Sequence, residues 1–234
     1  MPRLDQHIRA HTGTPRKNVR ALLAQGRVMV DGVLASDAAQ VIGKFNQVQV
    51  DGTPTRATRP CYLMLHKPRG VVCATKDARH RTVIDLLSYP DKEDLHIVGR
   101  LDYNSTGLVL LTNDGQWSRS LSLPGSGLLK RYRVGTEQVI TQEYIDAFEQ
   151  GMYFDFEEIT TRPAQLKILD ERTAEVGLVE GRYHQIKRMF GRFNNKVLSI
   201  HRFAVGPYAL GDLPAGDFVQ VPGDLAPHLA SGTP

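Results

Sequence analysis

The chain has 234 residues, of which 41% are hydrophobic, and carries 29 Lys and Arg against 25 Asp and Glu. That excludes collagen-like and broadly disordered chains and supplies a packed core without covalent staples. The two cysteines, Cys61 and Cys73, cannot build a disulfide framework or a four-thiolate zinc site, the N-terminal MPRLDQHIRA lacks a signal-peptide core, and no apolar run approaches the ~20 residues that cross a bilayer, so a cytoplasmic protein without a membrane partner is expected.

Charge is unevenly placed. Residues 1–59 hold nine Lys and Arg against four Asp and Glu, a net of +5, whereas residues 60–234 have a net of −1. This predicts a basic module with its linker over 1–59, suited to a polyanion, and a near-neutral second domain over 60–234. A basic face that is merely solvated is the alternative.

The front module reads as two short helices and a hairpin. Leu4, Ile8 and His11 share one face of the first helix. Thr14 before Pro15 predicts an N-cap with proline at the first helical position, and the stripe Val19, Leu22, Leu23 runs to Gly26. Asp31-Gly32 between RVMV and VLAS is a two-residue hairpin signal, and VQV before Asp51-Gly52 is a further strand. Arg16, Lys17 and Arg20 lie off the apolar stripe, where they can face phosphates together with Arg3 or Arg27. Residues 53–60, TPTRATRP, have two prolines and no apolar pattern and read as the linker.

From Cys61 onward the strand candidates are CYLMLHK, GVVCAT, LHIV, GLVLLT, RYRVGT, PAQLKIL and AEVGLV, with helices at TVIDLL, GQWSRSL and TQEYIDAFEQ. The fold class expected is α+β with a mainly antiparallel sheet. The last dozen residues read as a loose tail.

Chemistry-bearing side chains concentrate in two segments. In VGRLDYNSTGLVLLT a strand ends, a polar loop presents Arg100 and Asp102, and a continuous apolar strand resumes. Asp102 alone reads equally well as a turn residue closing an Asx hydrogen bond. In EGRYHQIKRMF, with Phe193 beyond it, Ile186, Met189, Phe190 and Phe193 recur at helical spacing, with Lys187 and Arg188 flanking the stripe and His184 in the first turn, where an ordinary satisfied histidine is the plain expectation. Trp117 reads as a helix-core anchor, Glu180 as part of the helix entry, and KPRG, with Lys67 and Arg69, as a strand-ending turn whose two cations can also touch RNA. No P-loop, G-x-G-x-x-G, G-x-S-x-G or H-E-x-x-H occurs, so neither nucleotide-driven nor metal chemistry is indicated.

Residues 3 to about 52 resemble the S4 RNA-binding module, which implies recognition of structured RNA by shape and backbone. With YLMLHKPRGVVCAT, GRLDYNSTGLVLLTNDGQWS, KRYRV and EGRYHQIKRMF in order behind it, the chain resembles the pseudouridine synthase superfamily, in its S4-bearing branch acting on ribosomal RNA. DGQWS and YHQIKRM resemble the members that modify small-subunit RNA. The resemblance implies that Asp102 is the essential aspartate, Tyr132 the active-site tyrosine and Lys187 the basic partner of the aspartate, a position often held by Arg in related branches. It further implies that Arg100 helps displace the target base. Arg3, Arg16, Lys17, Arg20, Lys67 and Arg69 are then RNA-binding candidates. It implies a monomer that needs no cofactor and no metal, and a partner that is 16S ribosomal RNA or a small-subunit assembly intermediate, with uridine 516 as the target. A carboxylate can serve here as nucleophile or as base toward the sugar, and a neighbouring cation favours its ionised form. A synthase for 23S or transfer RNA and a noncatalytic RNA-binding assembly factor are the competing readings. Glycosidic hydrolysis is a weaker one, because Asp102 and Asp114 form no evident acid and base pair.

Overall fold

Asp31 and Gly32 take φ of 52° and 79°, and Asp51 and Gly52 take 53° and 74°, the paired positive values that a two-residue hairpin of type I′ demands. Both turns lie in the smaller unit, Met1–Pro60, of a computed structural model that divides into two, the other being Cys61–Pro234. The structure describes residues 1–56, 58–123, 126–155, 157–222 and 225. In the smaller unit α1 (Leu4–Thr12) and α2 (Arg16–Ala24) accompany the strands β1 (Val28–Val30), β2 (Val33–Leu34), β3 (Val48–Val50) and β4 (Thr53–Arg56). The strands form an antiparallel sheet in the order β2-β1-β3-β4. Leu4, Ile8, Val19, Leu22, Leu23, Val28 and Val48 make its core, so the helix stripes face the sheet.

Two local expectations change. Pro15, not Thr14, is the N-cap of α2, and no side chain caps that helix; the Thr14 hydroxyl instead bonds the Thr12 hydroxyl at 2.6 Å. Residues 53–56 are not linker but the edge strand β4. Pro54 is tolerated there because an edge has a free side on which no N–H is needed, and Thr55 Oγ1 donates to Val48 O at 3.0 Å.

The larger unit contains β5 (Tyr62–Lys67), β6 (His96–Val98), β7 (Thr106–Thr112), α3 (Gly115–Ser122), β8 (Lys130–Thr136), α4 (Gln142–Gln150), β9 (Tyr153–Phe154), β10 (Ile159–Thr160), β11 (Gln165–Asp170), β12 (Thr173–Leu178), α5 (Gln185–Gly191), β13 (Val197–Val205), β14 (Tyr208–Ala209) and β15 (Phe218–Gln220). The main sheet runs β11-β12-β8-β13-β7-β5-β15, with β6 on β7 and β14 on β13; β9 and β10 pair separately. It is the mainly antiparallel α+β arrangement expected, with β13 and β7 running parallel. Alternate residues of β5 and β7 feed two cores: Leu63, Leu65, Val109 and Leu111 pack with Phe148, Met189 and Phe190, whereas Tyr62, Met64, Leu108 and Leu110 pack with Trp117 and Tyr208. Both faces are therefore covered, which is why these strands read as continuous apolar runs.

Two expected elements are absent as such. Residues 70–75 and 82–87 are bends and turns joined by a parallel bridge between Val72 and Thr82. Thr82 N–H donates to Asp85 Oδ2 at 2.8 Å and Asp85 N–H to Thr82 Oγ1 at 3.2 Å, a reciprocal cap that closes one turn. Pro90, following close behind, disfavours helical backbone at Tyr89. Of the expected C-terminal tail, all but residue 225 lies outside the described residues. Conversely β13, VLSIHRFAV, was not expected, because Ser199, His201 and Arg202 break its apolar run.

The β7–β13 junction is the tightest point of the sheet. Gly107 has φ 110°, and a Cβ there would lie 2.1 Å from Arg202 O and 2.7 Å from Arg202 N. Beside it His201 Nδ1 meets Thr106 Oγ1 at 2.9 Å. Gly107→Ala is expected to cost at least about 3 kcal/mol in urea unfolding, since backbone rather than a movable side chain blocks the methyl. Burial, then His66 and Arg133, hold the His201 imidazole below its ordinary 6.5. The unfolded chain therefore binds the proton more readily, so this contribution is intact above about pH 6.5 and is lost as pH falls toward the folded value. Urea midpoints at pH 7.5 and pH 5.5 should converge in His201→Gln relative to the parent.

Candidate active site

Gly99, at φ 73°, turns the chain out of β6 into a loop that ends where β7 begins, and Asp102 stands half-buried at its centre. Its carboxylate does not close an Asx turn. Lys187 Nζ, from α5, donates to Oδ2 at 2.6 Å, and His184 Nε2 lies 3.4 Å from the same oxygen. The helix is fixed by Ile186, Met189 and Phe190, which it buries in the core. Glu180 organises its entry by accepting from Gln185 Nε2 at 2.7 Å, Arg162 N–H at 3.0 Å and Arg182 Nε at 3.1 Å. His184, the N-cap, is left-handed at φ 51° and stacks on Tyr183 with ring centroids 3.9 Å apart. A non-glycine residue in that region costs energy, and here the strain places the imidazole beside Asp102. The sequence pattern offered His184 only as an ordinary satisfied histidine, whereas its partner is the Asp102 carboxylate.

Asp102 opens onto a cavity of about 230 Å³. Tyr132 on β8, Leu178, Ile186 and Ile200 supply its aromatic and aliphatic walls, and Arg100, Lys130, Arg182 and Arg202 its basic side chains. Tyr132 is buried and sits in register between Val176 of β12 and Arg202 of β13. Burial, then Arg202, pulls the Lys130 ammonium below its usual range, with Glu180 opposing. The pocket thus offers one carboxylate, aromatic and aliphatic walls and an excess of basic side chains. Among the described residues no group of three His, Cys, Asp or Glu side chains is placed to hold a metal ion.

Two buried cations grip the loop that carries Asp102. Lys67, expected as an RNA contact, is instead fully buried. Its Nζ donates to Ser105 O at 2.7 Å, Pro68 O at 2.9 Å and Tyr103 O at 3.3 Å. The final residue of a strand buried on both faces projects inward, which removes it from the surface. Desolvation lowers its pKa, and Asp102 and Cys73 oppose that shift. Arg202 was missed by the sequence reading. Only 2% exposed, it donates Nε to Leu108 O at 2.8 Å and its Nη1 and Nη2 to Arg100 O and Gly99 O at 3.4 and 3.5 Å. The signal was its inward register with Ile200 and Ala204, where an arginine is out of place in an apolar strand face.

The other candidates distribute as follows. Arg100 is exposed and lines the cavity; Arg69 is exposed, with Nε on Asn104 Oδ1 at 3.3 Å. In the smaller unit Arg16, Lys17 and Arg20 all lie exposed on α2. Arg3 is turned back onto Asp5 at 3.2 Å and Arg27 is held by Asp51 at 2.6 Å. Asp114 is structural: it caps α3 and accepts from Tyr62 Oη at 2.9 Å. Trp117 is a buried anchor whose Nε1 donates to Tyr208 Oη at 3.2 Å.

Replacing Arg202 by Lys keeps the charge and removes the planar fork. We expect kcat to fall by about 10²-fold, as for a displaced reacting group, with KM nearly unchanged and an unaltered circular dichroism spectrum.

The RNA pseudouridylate synthase family matches residues 61–191, more than half of the chain. The chain is 49% identical over 216 residues to ribosomal small subunit pseudouridine synthase A of Pseudomonas aeruginosa, covering 92% of this chain and 94% of the relative. It is 37% identical over 218 residues to the protein of that name from Escherichia coli, with coverage of 92% and 94%. A solved structure described as a pseudouridylate synthase superposes with a TM-score of 0.69 at 33% identity, over 96% of this chain and 97% of that one. With a carboxylate-and-lysine pair at the mouth of a tyrosine-walled cavity, and these similarities along nearly its whole length, the chain belongs to the RNA pseudouridylate synthase family.

Proposed function

We propose that this protein converts one uridine of 16S small-subunit ribosomal RNA, uridine 516 by resemblance, to pseudouridine in the cytoplasm. It acts as a monomer, on the RNA or on a small-subunit assembly intermediate. The observation that carries the reading is the Asp102 carboxylate, held by Lys187 at 2.6 Å at the opening of the cavity that Tyr132 lines. Similarity to relatives named for the small-subunit RNA supports the substrate.

The reaction is an isomerisation. The bond from N1 of uracil to C1′ of the ribose breaks, the base turns while held, C5 bonds to C1′, and the C5 proton is lost as N1 gains one. Atoms balance and no redox change occurs, so no cofactor or metal is needed. Asp102 either attacks C1′ or removes a proton from the sugar, and Lys187 fixes its charge and direction. Tyr132 lies flat against the uracil. The target leaves its stack at a cost of a few kcal/mol, offset by Arg100 entering the gap. The smaller unit, S4-like, brings the exposed cations Arg16, Lys17 and Arg20 to RNA phosphates, with Arg3 and Arg69 as further contacts.

Carbodiimide mapping with primer extension on unmodified small-subunit RNA tests this directly. The parent should produce one new stop without added metal or nucleotide, and Asp102→Asn should lower its rate by about 10²–10⁴-fold or more. A stop in large-subunit or transfer RNA alone would reassign the substrate. Full activity in Asp102→Asn would remove the proposed chemistry.

A further inference from the structure

The Asp102–Lys187 pair stands between two cavities. Asp102 lines the one containing Tyr132, Lys187 lines a second of about 310 Å³, and Ser105 and Ile200 line both. Arg69, Asn104, Lys196 and Ser199 complete the polar lining of the second cavity. Among the described residues lining it, three are cations and none is a carboxylate. Lys187 is committed to Asp102. Arg69 points its Nε at the neutral Asn104 side chain, and Lys196, exposed on the turn before β13, makes no ion pair with any described residue. Uncompensated positive charge beside hydroxyl and amide groups is the lining that a singly charged, oxygen-rich anion requires.

We propose that this second cavity seats a phosphodiester flanking the target nucleotide, with Arg69 and Lys196 as its ligands. The inference rests on the function proposed above, because the linkage belongs to the nucleotide whose base enters the first cavity. A ribose whose C1′ meets Asp102 carries a phosphodiester on each side, within one sugar of that carboxylate. Ser105 and Ile200 mark the shared wall past which one linkage emerges. Seated there, the phosphate places Lys187 between two anions. Backbone binding then holds the lysine in line with Asp102, so the RNA that fills the site also completes the alignment of the carboxylate. Arg69 supplies directional donors and Lys196 a mobile point charge; both are solvated beforehand, so neither has to be buried unpaired while the site waits.

The test is equilibrium binding of the full chain to a labelled single-stranded oligoribonucleotide with one uridine among cytidines, measured across a range of KCl. The two linkages flanking the uridine are either phosphodiesters or neutral methylphosphonates. Variants are Arg69→Gln, Lys196→Gln, their double, and Lys167→Gln, an exposed lysine of β11 away from both cavities. In the double variant the slope of log affinity against log salt should flatten by about 1.4, at ~0.7 for each contact to a single strand. The penalty for methylphosphonate seen in the parent should shrink by about threefold or more in Lys196→Gln, the non-additivity of groups in contact. Additive penalties, or an equal flattening in Lys167→Gln, would overturn the subsite. Pseudouridine mapping on small-subunit RNA separates the two readings. A parent that forms pseudouridine but shows additive penalties defeats the subsite alone, and coupled binding without pseudouridine defeats the proposed function alone.

Discussion

The loop bearing Asp102 is held by its own carbonyl groups. Buried cations are costly unless dipoles or counter-charges satisfy them, and here most of the dipoles belong to the loop: Lys67 takes its Ser105 and Tyr103 carbonyls together with that of Pro68, and Arg202 its Arg100 and Gly99 carbonyls together with that of Leu108 in β7. Loop and cations are mutually dependent. Displacing the loop would strip each buried cation of two of its three acceptors, and neutralising either cation would free carbonyls on one flank of Asp102. The sheet order makes this possible, because β5 and β13 lie on either side of β7 and deliver one cation from each neighbour.

Apart from Arg202 in β13, the polar chemistry gathers at strand ends and loops because the interiors of β5 and β7 are committed to the two cores. β5 and β7 bury side chains on both faces, leaving no position along them for a solvated group. The cavity is accordingly assembled from Val98 at the end of β6, Lys130 and Tyr132 at the start of β8, Leu178 at the end of β12, and the entry to α5. A short helix suffices because it is anchored from below by Ile186, Met189 and Phe190 and from its entry by Glu180 and Gln185. Lys187 on the helix and His184 at its N-cap then face Asp102, while Arg188 turns to Glu157.

Elements whose signal is local were legible in the sequence. The Asp31-Gly32 hairpin, the stripes of α1, α2 and α4, and the continuous strands β5 and β7 all follow from residue pattern within a few positions. Asp102, Tyr132 and Lys187 could be named because their segments resemble a family, and the structure brings Asp102 and Lys187 into contact across 85 positions. What pattern could not supply depends on distant partners. Residues 53–56 become a strand only because β3 is there to pair with. β13 holds polar residues in a central strand because Thr106 receives His201, and the carbonyls of Gly99 and Arg100 in the loop and of Leu108 in β7 receive Arg202. Lys67 looked like a surface cation because lysine usually is one, and its burial depends on carbonyls contributed by the loop some 36 to 38 positions later.

Trp117 is the only tryptophan in the chain. It lies 5% exposed in the Tyr62–Tyr208 core, edge-on to both tyrosine rings, and the smaller unit has no indole of its own. Its ultraviolet emission is therefore a native label confined to the larger unit. Excited at the indole, the protein reports on the packing beneath α3 and on the sheet face behind the Asp102 loop, while the far-ultraviolet dichroism of the same sample averages both units. Comparing the two signals during denaturation separates loss of the catalytic sheet from loss of the basic front unit, with no dye and no substitution.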